Sequence, residues 1–65
     1  MKSYRGRVLW VDLRNDKLFE GQIYLYETNK RYYFNYSVWN GPTGPWKDLL
    51  VDVKLDKNNL IMEVI

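Results

Sequence analysis

Apolar and polar residues alternate along most of the chain, which is the pattern of β-strands with one buried face. Between residues 31 and 39, Tyr32, Phe34 and Val38 fall on one side of an extended chain, while Arg31 and Asn35 fall on the other. Aromatic and β-branched residues are also typical of strands. Nowhere do apolar residues recur at helical spacing over three turns, so the pattern favours strands throughout.

The pattern predicts five strands, at residues 4–13, 18–27, 31–39, 47–55 and 60–65. Polar turn-forming residues separate them at 14–17, 28–31 and 56–59, and a loop rich in Gly and Pro follows the third strand at 40–45. We therefore predict an all-β fold. Its expected architecture is a five-stranded antiparallel meander, coiled into a small SH3-like or OB-like barrel that forms one domain over residues 1–65.

Turn lengths predict the register of the first three strands. A four-residue loop at 14–17 sets the pairing of the first and second strands, and a two-residue loop at 29–30 sets the pairing of the second and third. The two pairings agree on which side chains of the second strand are buried. Trp10 is expected to lie opposite Gly21 and to cover its missing side chain. The predicted rows of the buried face are Gly6–Leu25–Phe34, Val8–Ile23–Tyr36 and Trp10–Gly21–Val38.

The last two strands are expected to complete the core, because a small sheet with an apolar face must cover that face. Curling into a barrel does so within one chain, and dimerisation through the same face is the alternative. The core residues predicted from these strands are Val51, Val53, Leu55, Leu60, Met62 and Val64.

The chain of 65 residues contains no cysteine and no histidine. That composition excludes disulfides, thiolate or imidazole metal ligands, and catalysis by Ser-His or Cys-His pairs. Asp48, Asp52 and Asp56 share one face of the fourth strand, where we interpret them as solvated surface acids. We predict a protein that is not an enzyme and uses neither a cofactor nor a metal.

The first residues lack the apolar run of a signal peptide, and no apolar segment approaches membrane-spanning length. A cytoplasmic protein without a membrane partner is expected.

The net charge is only +2, but residues 1–31 carry seven basic and four acidic side chains, whereas residues 32–65 carry three basic and four acidic ones. This asymmetry indicates a basic patch in the first half.

The predicted register also places tyrosines and arginines together on the outer face of the sheet. Arg5 lies beside Tyr26 and then Tyr33, and in the next row Arg7 lies beside Tyr24 and then Asn35. Rings on which bases can stack, next to cations that follow phosphates, are typical of proteins that bind single-stranded nucleic acid. The predicted binding residues for single-stranded DNA or RNA are Arg5, Arg7, Tyr24, Tyr26, Arg31 and Tyr33.

Two alternative interpretations of these aromatic residues stay open. Cross-strand tyrosine pairs stabilise a sheet without any ligand. The chain could instead be a protein-binding module or a homodimer, anchored by Trp39 and Trp46 on either side of the stiff 40–46 loop. Small, cysteine-free, aromatic-rich chains are typical of phage or mobile-element products that block a host protein, which adds this class to the candidates.

Overall fold

The computed structural model describes residues 2–15, 17–41 and 44–65. Within these ranges the chain forms five strands and one short 3-10 helix, which confirms the all-β prediction. Of the predicted connections, the turn at 14–17 and the loop at 40–46 each include residues outside the described ranges. The elements are β1 (Ser3–Asn15), β2 (Leu18–Leu25), β3 (Lys30–Asn35), the 3-10 helix (Tyr36–Val38), β4 (Leu50–Leu55) and β5 (Ile61–Val64).

The strands form one antiparallel sheet in the order β3-β2-β1-β4-β5. A simple meander would place β4 beside β3, but β4 pairs with β1 instead. The chain that leaves β3 then returns to β5, where Trp39 forms a parallel bridge with Val64 and the Asn40 N–H donates to the Val64 carbonyl oxygen at 2.7 Å. This contact curls the sheet into a half-barrel, consistent with the predicted small barrel-like fold.

The inner face of the curled sheet carries the hydrophobic core. Two residues predicted to belong to it, Leu60 and Met62, are instead 63% and 45% exposed. The reason is a register irregularity after Lys54, which pairs Leu55 with Ile61 rather than with Met62. The buried core residues are Val8, Phe19, Ile23, Leu25, Phe34, Val51, Val53, Leu55 and Val64.

A β-bulge at Leu9 changes the outcome predicted for Trp10. Val8 pairs with Ile23 as expected, but the next pair is Trp10 with Gln22, so Leu9 is an extra residue in β1. An extra residue reverses which face the following side chains take. Trp10 therefore lies on the outer face, where it is 44% exposed, and the prediction that it covers Gly21 is wrong.

The predicted register between β2 and β3 is wrong by four residues. Gly21 pairs with Phe34 and Ile23 with Tyr32, because β2 ends at Leu25 and residues 26–29 all belong to the turn. Since the shift is an even number, Phe34 still faces the core. Tyr36, predicted to lie opposite Ile23, instead begins the 3-10 helix and is exposed.

The backbones of β1 and β2 lie close together at Gly21. A Cβ atom at Gly21 would lie 2.2 Å from the Trp10 carbonyl oxygen and 3.0 Å from the Phe34 ring. Because a backbone atom cannot rotate away, a side chain here would force the two strands apart. Only glycine is compatible with this strand spacing.

We expect Gly21→Ala to destabilise the fold by roughly 3 kcal/mol or more, since overpacking against backbone shifts the strands themselves. Gly41→Ala is the matched control. The three atoms nearest to a Cβ at Gly41 all belong to the Trp39 ring, the closest at 3.1 Å, and a side chain can yield more readily than backbone. Urea unfolding followed by circular dichroism measures both variants. Equal stability of Gly21→Ala and the wild type would contradict the close approach.

One of the side-chain contacts near the closure of the half-barrel, made by the Glu63 carboxylate, depends on pH. Its carboxylate accepts a hydrogen bond from Asn40 Nδ2 at 2.7 Å and lies 3.3 Å from Lys54 Nζ. The Asn40 hydrogen bond, followed by the Lys54 contact, lowers the pKa of Glu63 below its ordinary value. The pKa of this acid is thus lower in the folded state than in the unfolded chain, and the charged carboxylate favours folding.

The stabilisation from Glu63 is therefore present above the ordinary glutamate pKa and is lost as the pH falls through the folded-state pKa. We expect Glu63→Gln to be less stable than the wild type near pH 7, with the difference shrinking at acidic pH. Thermal unfolding at a series of pH values measures it, and Glu27→Gln, which breaks an exposed ion pair with Lys2, controls for the loss of one ion-paired surface charge. A stability difference independent of pH would contradict this assignment.

Candidate nucleic-acid interface

The centre of the outer face is a row that crosses the first three strands. Arg7 on β1 pairs with Tyr24 on β2, and Tyr24 pairs with Arg31 on β3. The predicted neighbours Arg7 and Tyr24 are thus found together. Arg31 takes the place predicted for Asn35, which improves the arrangement for an anionic ligand, because a tyrosine ring now lies between two arginines.

Arg5 and Tyr26 are also brought together, at the edge of the same face. The Tyr26 N–H donates to the Arg5 carbonyl oxygen at 3.2 Å, and Tyr26 lies in the turn that follows β2. The rings of Tyr24 and Tyr26 meet edge to face, with centroids 5.4 Å apart and an interplanar angle of 78°. This geometry is favourable for aromatic pairs, so each ring limits the motion of the other.

Tyr33 lies one row further along the sheet and not beside Tyr26 as predicted. Its cross-strand neighbour is Gln22, which in turn pairs with Trp10. The Trp10 indole N–H donates to Gln22 Oε1 at 3.0 Å, and the Tyr33 hydroxyl donates to Glu20 Oε1 at 2.7 Å. Both exposed rings are therefore held by side chains of β2.

Trp10 is a residue of this face that the sequence prediction missed. The available signal was the run of four apolar residues from Val8 to Val11, which breaks the alternation expected of a strand with one buried face. A β-bulge resolves such a run, because the extra residue places Val8 and Val11 on the same buried face and turns Trp10 outward. The run predicts the irregularity but not which residue is the extra one.

The arginines of the outer face differ in their electrostatic environment. Arg5 Nε lies 3.4 Å from Asp52 Oδ1, and Arg7 lies 3.8 Å from Asp48 Oδ1. Asp48 has a φ of 70°, a conformation that Asp adopts more readily than most residues. Within the part of the chain that the structure describes, Arg31 forms no ion pair. Exposed pairs contribute little, so a phosphate can compete for Arg5 and Arg7.

The two tryptophans predicted to anchor a protein partner lie in different environments. Trp39 is half-buried and packs against Phe34 and Phe19, with ring centroids 5.8 and 6.2 Å away. It therefore closes one end of the core. Trp46 follows the buried Pro45 and is 49% exposed, so it is the more accessible of the two side chains.

The described residues contain no group of three or more acidic side chains positioned to hold a metal ion. They also contain no helix with the length and apolar character needed to cross a membrane.

Comparison of the chain with protein-family models, curated proteins and solved structures finds no match. Its function must therefore be inferred from the geometry of the outer face.

Tyr33 provides a direct test of that geometry. The hydrogen bond to the Glu20 carboxylate raises the pKa of the Tyr33 phenol, with burial and the Glu20 charge acting in the same direction. A raised pKa means that the hydrogen bond favours folding below the ordinary tyrosine pKa and loses this effect as the pH rises through the folded-state pKa.

We expect absorbance titration near 295 nm to show one tyrosine ionising at higher pH than it does in Glu20→Gln, because a neutral amide attracts the phenol proton less than a carboxylate does. The titration of Tyr33→Phe identifies which tyrosine is responsible. Identical titration curves for the wild type and Glu20→Gln would show that the Tyr33–Glu20 hydrogen bond is not formed in solution.

Proposed function

We propose that this protein binds single-stranded nucleic acid on the outer face of its curled sheet. The observation that carries the proposal is the row Arg7–Tyr24–Arg31, flanked by Tyr26 on one side and by Trp10 and Tyr33 on the other. Rings that bases can stack on thus alternate with cations that can contact phosphates. This combination is what sequence-tolerant single-strand binding requires.

The rings supply most of the expected affinity. Base–aromatic stacking contributes about 1–3 kcal/mol per base, and any base can stack because each has a π-face. Trp10, Tyr24 and Tyr33 are held by hydrogen bonds to neighbouring side chains, so little conformational entropy is lost when a base binds. Preorganisation of this kind supports a binding role for the rings.

The shape of the face favours single strands over duplexes. Reading a duplex requires an element that enters a groove, such as an α-helix or a two-stranded ribbon. The aromatic residues of this protein instead lie across three adjacent strands of a sheet. Such a surface can contact the unpaired faces of bases, which a duplex conceals within its stack.

The electrostatic contribution to binding should be modest, in keeping with a net charge of +2. Binding of single strands has a logarithmic salt dependence of about −0.7 per neutralised phosphate. Three arginines at the face give a slope of about −2 if all contact phosphates. Arg5 and Arg7 must first exchange Asp52 and Asp48 for a phosphate, which makes the salt slope shallower than this value.

A second candidate function is protein binding through Trp46, either to another protein or to a second copy of the chain. The observation that favours it is the exposure of this large side chain at the end of a proline-containing loop. Exposed tryptophans are frequent anchors of interfaces. Trp39 supports this candidate less, because its ring already packs against Phe34.

We expect a fluorescently labelled mixed single-stranded oligonucleotide to bind at low salt, and Tyr24→Leu to raise its Kd by about 5- to 150-fold. Leucine removes the stacking face but keeps an apolar side chain on the strand. Arg31→Ala should make the salt slope shallower by about 0.7, because one phosphate contact is lost. Anisotropy titration at several salt concentrations measures both effects.

Trp46→Ala is the control, since it removes an exposed aromatic residue that belongs neither to the row Arg7–Tyr24–Arg31 nor to its flanking rings. The proposal predicts that this variant binds the oligonucleotide as the wild type does. Circular dichroism of each variant verifies that the fold is retained. Absence of binding at low salt, or equal loss of binding in Tyr24→Leu and Trp46→Ala, would contradict the proposal.

A further inference from the structure

A cleft of about 200 Å³ opens at the end of the outer face that is furthest from Arg5 and Arg7. Its size is below that of sites for drug-sized ligands, which makes a single base a suitable occupant. Apolar side chains and rings form part of its wall, and polar side chains form the rest. The residues that matter here are Leu18, Phe19, Glu20, Tyr33, Asn35 and Tyr36.

The polar wall of the cleft presents an acceptor beside a donor. Glu20 and Asn35 are direct cross-strand neighbours, so their side chains lie next to each other. Glu20 Oε1 accepts from the Tyr33 hydroxyl, and Oε2 makes no hydrogen bond to any described residue. As a carboxylate, Glu20 can accept but not donate.

Asn35 contributes the donor because its carbonyl oxygen is already used. Asn35 Oδ1 caps the 3-10 helix by accepting from the Ser37 N–H at 3.0 Å and from the Ser37 hydroxyl. The amide nitrogen carries two hydrogens, and its interaction with Tyr33 engages one of them at most. At least one hydrogen is thus left to donate to a ligand.

The charged side chains that line the cleft are net negative. Asp12 pairs with Glu20 across β1 and β2, which places two carboxylates side by side, and Arg14 supplies one positive charge in the same lining. Like charges directly opposite each other destabilise a sheet and also repel an anion. A nucleic acid that enters here should therefore present a base and keep its backbone toward the arginines.

We infer that this cleft, built on Glu20 and Asn35 beside the Tyr33 ring, selects guanine from the single strand; the inference rests on the proposed function. Guanine is the base whose pairing edge offers two adjacent donors, N1–H and the 2-amino group, beside the O6 acceptor. The donors match the Glu20 carboxylate, and O6 matches the Asn35 amide N–H. Cytosine, thymine and uracil would each direct a carbonyl oxygen towards the carboxylate.

The test compares three labelled oligonucleotides in an anisotropy titration: a thymine tract, the same tract with one central guanine, and the same tract with inosine in place of guanine. Inosine keeps the ring system, N1–H and O6 but lacks the 2-amino group. We expect guanine to lower the Kd by about tenfold relative to thymine, in line with the discrimination of a good bidentate contact. Inosine should recover only part of this gain.

Two protein variants assign the effect to the named groups. Glu20→Gln keeps an acceptor for the Tyr33 hydroxyl and should abolish the preference for guanine over inosine, measured as the ratio of the two Kd values within the variant so that any general change in binding cancels. Asn35→Asp keeps the oxygen that caps the 3-10 helix but removes the amide donor, so it should weaken binding of the guanine oligonucleotide more than binding of the thymine tract, to which the added charge applies equally. Circular dichroism confirms that both variants fold.

The outcomes separate this inference from the function on which it rests. If no oligonucleotide binds, the proposed function fails and the inference fails with it. If all three bind equally, or if Glu20→Gln retains the full preference for guanine, the outer face binds nucleic acid but the cleft does not select guanine.

Discussion

The close approach of β1 and β2 at Gly21 is the constraint on which both faces of the sheet depend. The Trp10 carbonyl oxygen occupies the space that a side chain at Gly21 would need, and the Phe34 ring covers the same point from the core. This contact lies next to the bulge at Leu9, where β1 contains one more residue than β2. Val8, before the bulge, points into the core, and Trp10, after the bulge, lies on the outer face.

Much of the fold could be predicted from the sequence because alternation and turn residues are local signals. The register was harder, since pairing depends on irregularities that individual residues do not reveal. Val8 pairs with Ile23 as predicted, although β1 and β2 begin pairing at Asn15 and Leu18 rather than at Leu13 and Leu18. Two extra residues in β1 compensate for this difference. The prediction at Val8 was therefore correct although its starting point at the turn was not.

The sequence predicted which residues lie on the outer face, but not which of them are cross-strand neighbours. The residues assigned to the outer face lie there because a register error of four residues does not change which face a side chain takes. It does change the neighbours, and this is why Arg31 rather than Asn35 lies beside Tyr24. The ion pairs of Arg5 and Arg7 could not be predicted, because they depend on β4 pairing with β1.

The bulge at Leu9 also determines how this surface can change during evolution. A substitution alters one side chain and leaves its neighbours in place. Loss of the extra residue at Leu9 would instead restore regular alternation between Val8 and Leu13 and exchange inward for outward positions on one side of the deletion. Insertions and deletions in this strand would thus rearrange the outer face in one step.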